Sequence, residues 1–267
     1  MEFFATSNGI PVHISDTEKG DITILLLHGY LETLYVWEDF IGLFPKNFRF
    51  ISIDLPGHGL TGTHPHSNSM EFCADTIKGV LDKCGVDKCY VAGHSLGGYI
   101  SFEFIKKYPD AVQGLIMINT NTYADTEEVA ASRGKEIHFI TSGRLLTLAS
   151  LAIPNMFKKE NLRRMDLKIQ EILEIADTHD PEGIAASVRG MASRVDNTEF
   201  VAGLDIPVIA FFGDSDHFFP MDQIELQMNA LPSVKGYIVP NSGHVAHLEE
   251  PDFVASKIVE FLTTGSC

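Results

Sequence analysis

The chain is 267 residues long, with 36 acidic against 20 basic side chains (formal charge −16) and 45% apolar residues. That balance repels nucleic acid and anionic membrane surfaces, and the length suits one large α/β domain or a core with an insertion. The start, Met1–Thr6, lacks a basic stretch leading into a long apolar run, and no run approaches membrane-spanning length. The four cysteines (Cys73, Cys84, Cys89, Cys267) are few and irregular, so a cytoplasmic protein with reduced thiols is expected.

In chain order, Phe3–Ala5 and Pro11–Ile14 flank Asn8–Gly9, a hairpin signal. Ile22–Leu27 reads as a buried strand ending in His28–Gly29, and Val36–Phe44 as an amphipathic helix stopped by Pro45. Phe48–Ile53 is the next strand, followed by Asp54–Leu55–Pro56–Gly57–His58–Gly59, and Ser69–Cys84 is helical. Cys89–Ala92 is a strand that leads straight into Gly93-x-Ser95-x-Gly97 and then a helical pattern ending near Tyr108–Pro109. Val112–Ile118 is another buried strand. Strands alternating with helices at this spacing predict a mostly parallel sheet with helices on both faces. Right-handed crossovers then gather the loops after the strands on one edge.

The alternation stops after Asn119. From Thr122 to Glu199 the periodicity is helical only: Leu162, Met165, Ile169, Ile172, Leu173 and Ala176 share a face, and Asp180–Pro181–Glu182 is a helix start. The expected organisation is a core of residues 1–120 and 201–267 with a helical lid, or cap, over 121–200. Strands return at Pro207–Phe212 and Tyr237–Val239, and a helix over Phe253–Leu262 ends the pattern.

A strand turning sharply into a helix holds the residue at the bend in strained backbone geometry and pushes its side chain out above the sheet edge. The flanking glycines let neighbouring backbone pass. Ser95 occupies that bend, a nucleophile's position. A serine hydroxyl needs an adjacent base, and the base an orienting partner. Both are expected at the ends of later strands: Gly213–Asp214–Ser215–Asp216–His217 follows one, and Ser242–Gly243–His244 the next.

On these motifs the chain resembles the α/β-hydrolase family, in its lid-bearing serine esterase-like branch. Leu27–His28–Gly29–Tyr30 is similar to the family's oxyanion strand end, and Gly93–His94–Ser95–Leu96–Gly97–Gly98 to its nucleophile elbow. Gly213-x-x-Asp216-x-x-x-Pro220 and Ser242–Gly243–His244 are similar to its acid and base loops. The resemblance implies a catalytic triad of Ser95, His244 and Asp216, with the backbone N–H groups of Leu96 and Tyr30 binding the substrate oxyanion. The family spacing favours Asp216 over its rival Asp214.

The other histidines have plainer readings. His247 reads as a surface or cap group at the start of the last helix, His94 as a packed, hydrogen-bonded residue pointing away from the nucleophile, and His28 and His58 as braces. His217 is pocket wall or loop, and His64-x-His66 is a loop pair without a third metal ligand. Phe139, Leu145, Leu148, Met156 and Phe157 line an acyl pocket or form the lid's own core. Lys158, Lys159, Arg163 and Arg164 make the one basic cluster, a solvated face or a site for a carboxylate or an acidic acyl-carrier protein.

The leading expectation is a serine hydrolase cleaving a small carboxylic ester, thioester or lactone, with no cofactor and no metal. Carbon–carbon bond hydrolysis or perhydrolysis by the same triad is the alternative enzyme, and a small-molecule receptor of the same fold the non-enzymatic one. Epoxide hydrolysis and dehalogenation need a carboxylate nucleophile, which position 95 does not supply.

Overall fold

Eight strands form one sheet in the order β1-β2-β4-β3-β5-β6-β7-β8 in a computed structural model that describes residues 1–263; Cys267 lies outside them. β1 (Glu2–Ser7) and β2 (Ile10–Asp16) are an antiparallel hairpin, and β2 pairs antiparallel with β4 (Phe48–Ile53). At their turn Asn8 and Gly9 both have positive φ (47° and 82°), the backbone that a two-residue hairpin demands. β3 (Ile22–Leu27), β4, β5 (Cys89–His94), β6 (Val112–Ile118), β7 (Val208–Gly213) and β8 (Lys235–Val239) pair in parallel. Leu27 lies opposite Gly93, Gly93 opposite Met117 and Gly213 opposite Val239, so the strands' carboxyl ends share one edge.

Successive side chains of a strand face opposite sides, and the inner parallel strands bury both, whereas the edge strand β8 is largely exposed. Leu25, Leu27, Val91, Leu115, Met117, Ala210 and Phe212 face one core cluster, shared with α2 (Met70–Lys83) and α3 (Leu96–Lys107). Ile24, Leu26, Ala92, Ile116, Ile118, Ile209 and Phe211 face the other, with Trp37, Phe40 and the final helix. The predicted helix over Val36–Phe44 is instead a 3-10 turn, Leu34–Trp37, running into one short turn, α1 (Glu38–Ile41), with Gly42 as its cap. α2 starts as expected, Ser69 Oγ accepting from the Phe72 N–H (3.2 Å).

Between β6 and β7 the described elements are helical: α4 (Glu127–Phe139), a π turn (Ile140–Arg144), α5 (Leu145–Met156), α6 (Asp166–Asp177), α7 (Pro181–Ala192) and α8 (Thr198–Ala202). Ile169, Ile172 and Ala176 are buried on α6. Asp180 caps α7 through the Glu182 N–H, with Pro181 in its first turn. The segment is fixed to α3: Arg133 and Arg194 both pair with Asp125, and Arg194 lies 4.2 Å over the Tyr99 ring. One expectation is corrected. Glu127–Met156 is a 30-residue helical run long and apolar enough, by length and composition, to cross a membrane. Its apolar residues are interspersed with Ser, Thr and Arg, so no unbroken apolar stretch marks it in the sequence. Gly143 (φ 77°) breaks its axis, and Ile140, Leu145, Ala149, Ile153 and Met156 are buried in the first core cluster.

After β7 come α9 (Met221–Ala230) and, following β8, α10 (Ala246–Glu249) and α11 (Pro251–Thr263). Cys73, Cys84 and Cys89 are free thiols.

Candidate active site

β5 delivers Ser95 to the shared edge and α3 begins at the next residue. Ser95 has φ 49° and ψ −110°, a conformation that costs an L-residue on the order of 1–3 kcal/mol and persists only under external constraint. The constraint is close packing. A Cβ at position 97 would lie 2.2 Å from the Leu27 carbonyl oxygen, and one at position 93 would lie 2.5 Å from that of Gly97. Glycine at both sites lets the elbow fold tightly against β3. The Ser95 N–H donates to the Ile118 carbonyl (3.0 Å), and the Ser95 carbonyl accepts from Thr120 Oγ1 (2.8 Å) and the Gly98 N–H (2.9 Å).

The loop after β8 carries His244 to this hydroxyl: Nε2 lies 2.9 Å from Ser95 Oγ, and Nδ1 lies 2.8 Å from Asp216 Oδ2 in the loop after β7. Asp216 has no spare acceptor pointing elsewhere. Its Oδ2 also accepts from Asn119 Nδ2 (3.0 Å), and its Oδ1 from the N–H groups of Phe218 (2.8 Å) and Phe219 (3.1 Å). Burial pushes the Asp216 carboxyl up, but the neighbouring His244 and these hydrogen bonds outweigh it and hold the group below the ordinary carboxylate value. The Asp216 carboxylate therefore fixes the Nδ1–H tautomer and leaves Nε2 to accept from Ser95. Phe218 and Phe219 pack their rings 4.9 and 5.1 Å from the imidazole. Asp214 is engaged differently, accepting from the Asn241 N–H (2.9 Å) and Lys158 Nζ (3.1 Å).

The Gly29–Tyr30 peptide is fixed from its carbonyl side: Gly29 O accepts from His28 Nδ1 (2.7 Å). In a planar trans peptide this also fixes the direction of the Tyr30 N–H. The amides of Tyr30 and Leu96 have no partner among the described residues. The Leu96 side chain is buried core, and the half-buried Tyr30 ring packs beside His58; burial and the nearby Glu136 carboxyl push its phenol well up. His28 Nε2 accepts from the Leu55 N–H (2.9 Å), tying this loop to the one after β4.

The remaining candidates separate clearly. His94 is buried and hydrogen-bonded away from Ser95, and His217 is exposed loop. His64 Nδ1 accepts from the amides of His66 and Ser67, and no group of three potential metal ligands occurs among the described residues. His247 contradicts its reading as a surface or cap group. It is fully buried, 4.5 Å from the Trp37 ring, because the short α10 precedes the last helix and tucks beneath the Leu34–Trp37 turn. In the basic cluster Lys158 pairs with Asp214 and Arg164 with Glu250, while Lys159 and Arg163 are exposed. Leu145, Met156 and Phe157 are buried core, with Leu148 packed on them, and Phe139 lies under the Arg144 guanidinium.

The model for the alpha/beta hydrolase fold matches residues 22–139. A thermophilic esterase from Thermogutta terrifontis, solved with malate bound, superposes with a TM-score of 0.92 at 28% identity, over 99% of this chain and 98% of its own. The chain has the α/β-hydrolase fold. A 2-hydroxy-6-oxononadienedioate/2-hydroxy-6-oxononatrienedioate hydrolase of Paraburkholderia phymatum is 26% identical, over 94% of this hydrolase and 90% of the relative. A Bacillus subtilis carboxylesterase is 23% identical, over 94% and 84% respectively. These relatives indicate a hydrolase.

Two parts of the hydrolase's site were not singled out from the sequence. Asn119, at the end of β6, donates to Asp216 Oδ2 and to the Gly243 carbonyl (3.0 Å each) and accepts from the Ala246 N–H (3.2 Å), joining the acid and base loops. Its place at a strand's carboxyl end was the available signal. Glu249 accepts from the N–H groups of Gly243 (2.5 Å) and Lys158 (2.9 Å) and from Asn161 Nδ2 (2.8 Å), while the His244 N–H donates to the Met156 carbonyl (2.6 Å). The end of α5 is thereby bound to the base loop. A carboxylate in a short helix gives no sequence hint of that.

Proposed function

We propose that the protein is a serine hydrolase that cleaves a small carboxylic ester, thioester or lactone through an acyl-enzyme. The observation that carries the reading is the unbroken chain Ser95 Oγ–His244–Asp216 (2.9 and 2.8 Å) ending on a serine held at positive φ. Ser95 Oγ attacks the carbonyl carbon while His244 Nε2 takes its proton. The oxyanion accepts from the Tyr30 and Leu96 amides, and one such donor contributes about 3–4 kcal/mol to barrier lowering. Collapse expels the alcohol or thiol, protonated by His244. Water then repeats the sequence on the acyl-enzyme, releasing the acid and restoring Ser95. The helical segment over residues 121–200 is the lid on this edge, and the substrate a small molecule.

Turnover of short p-nitrophenyl esters and labelling by a fluorophosphonate test the reading. Ser95→Ala is expected to abolish labelling and to lower kcat by about 10⁴-fold or more. Equal turnover in wild type and variant refutes it; clean labelling without turnover instead favours a ligand-sensing role.

A second reading rests on the Paraburkholderia phymatum relative, whose name specifies a dienedioate/trienedioate hydrolase. The same three groups would then cleave a carbon–carbon bond next to a ketone, the leaving carbanion taking the proton. Comparing kcat/KM on a ring-cleavage diketone with that on p-nitrophenyl acetate decides between the two.

A further inference from the structure

Directly behind the oxyanion loop lies a charged pair with no role in the steps above. Glu32 and His94 are both fully buried, with Glu32 Oε2 2.9 Å from His94 Nδ1. The same carboxylate oxygen accepts from the Gly29 N–H (2.6 Å), and His94 Nε2 lies 2.8 Å from the carbonyl oxygen of His244. We propose that Glu32 and His94 form a buried carboxylate–imidazolium pair that acts as a positioning device, clamping the oxyanion loop at Gly29 to the base loop at His244. Its catalytic consequence rests on the serine-hydrolase reading; its existence does not.

Proton accounting carries the ionisation state. A carbonyl oxygen only accepts, so His94 Nε2 must bear a hydrogen. Glu32 Oε2 accepts from the Gly29 amide and faces Nδ1, and with this carboxyl held at about 2 the proton between them sits on nitrogen. With both ring nitrogens donating, His94 is a cation and Glu32 its counter-ion. Burial opposes both charges, but each group's partner outweighs it: Glu32 is held at about 2 and His94 is raised. The other titratable groups facing His94 are His28, His244, His247 and Asp216. Burial pushes both His28 and His247 toward the neutral form, so the cation in this histidine group is on His94.

The packing is built around the pair. A Cβ at position 29 would lie 2.5 Å from His94 Nδ1 and 2.9 Å from Glu32 Oε2, so only glycine lets the loop rest there. The clamp meets the catalytic parts from two sides. Gly29 precedes the Tyr30 amide, and His94 is adjacent to Ser95 while holding the backbone of His244. A neutral amide at position 32 cannot preserve all three hydrogen bonds, because an uncompensated buried imidazolium would have to remain. One contact must open, and either loop is then released.

The test combines imidazole ¹⁵N NMR with kinetics on the full-length protein, comparing wild type, Glu32→Gln and Ser95→Ala. In wild type, and equally in Ser95→Ala, both His94 nitrogens are expected to report the protonated form at about pH 6.5, where an ordinary imidazole is half neutral. Glu32→Gln is expected to convert His94 to a neutral ring. Its kcat on p-nitrophenyl esters is expected to fall about 10²-fold, with KM changed less than about threefold. A neutral His94 in wild type overturns the pair, a result that needs only the unmutated protein. Unchanged kcat in a folded Glu32→Gln variant overturns the positioning role. Absence of Ser95-dependent turnover in wild type sinks the hydrolase reading instead. The positioning role is then read from Gly29 amide exchange, which is expected to quicken in Glu32→Gln and overturns the clamp if unchanged.

Discussion

Replacing Asp216 by asparagine removes one charge and adds two hydrogens, and the surrounding hydrogen bonds show why so small a change is severe. The carboxylate receives four donors: the Phe218 and Phe219 amides on Oδ1, and His244 Nδ1 and Asn119 Nδ2 on Oδ2. Whichever way the new amide turns, its NH₂ group faces two donors. Turned toward the loop, it leaves two amide N–H groups unpaired at about 1–3 kcal/mol each. Turned toward the base, it obliges His244 to accept at Nδ1 and carry its proton on Nε2, where it can no longer receive one from Ser95. Asn119 cannot rotate to relieve the conflict, because its own amide is engaged with Gly243 and Ala246. The expected loss in kcat is about 10⁴-fold, or roughly 5.5 kcal/mol of barrier. Asp214→Asn loses a partly exposed ion pair with Lys158 and is expected to change kcat by less than about threefold. Ester hydrolysis by both variants, with thermal melts to establish folding, makes the comparison. Equal damage at the two positions, or an Asp216→Asn variant within about tenfold of wild type, refutes the reasoning.

Other predictions follow from close contacts and buried ionisation. Gly243→Ala puts a methyl 2.5 Å from the Met156 carbonyl oxygen and 2.8 Å from the Lys158 nitrogen, so thermal denaturation is expected to show a loss of about 1–3 kcal/mol, with reduced kcat. Because the Glu32 carboxyl is held at about 2 instead of 4.5, its charge stabilises the fold fully above pH 4.5 and progressively less as pH falls toward 2. The raised imidazole of His94 contributes fully below 6.5 and loses that contribution as pH rises through its folded value. Urea titrations of wild type and Glu32→Gln are thus expected to differ most near about pH 5–6 and to converge on acidification. Burial pushes the Cys89 thiol up to about 12 and that of Cys73 higher still. Peptide-mapped alkylation at pH 8 is expected to leave both unmodified until the protein is unfolded.

The sequence made the meeting of Ser95, His244 and Asp216 readable because each part combines two independent signals. At Ser95 a β-rich run meets two glycines and an amphipathic helix; at His244 and Asp216 short loops follow strands that alternate cleanly with helices. The inner parallel strands lie where their apolar runs predict, since burial on both faces leaves little room for polar interruption, whereas the exposed edge strand β8 begins two residues before its predicted start. What escaped were groups whose importance exists only in three dimensions. Glu32 is a single carboxylate between Leu31 and Thr33 in a loop, and nothing local places it against His94, 62 residues away. His247 escaped for the same reason: a histidine followed by Leu248, Glu249 and Glu250 carries no sequence mark of the Trp37 ring that covers it. The helix forecast after Tyr35 is instead a 3-10 turn and one short α turn, in which Leu34, Val36, Trp37 and Phe40 are buried.

The join between Met156 and the His244 backbone has a practical bearing on attempts to retarget such an enzyme. Exchanging the whole helical insertion for another would discard the Met156–Asn161 stretch, and with it the strut that keeps the imidazole loop in register. On the serine-hydrolase reading, a graft that ends before Met156 and leaves Glu249 its three donors would let the transplanted helices alter selectivity while the His244 loop keeps its place.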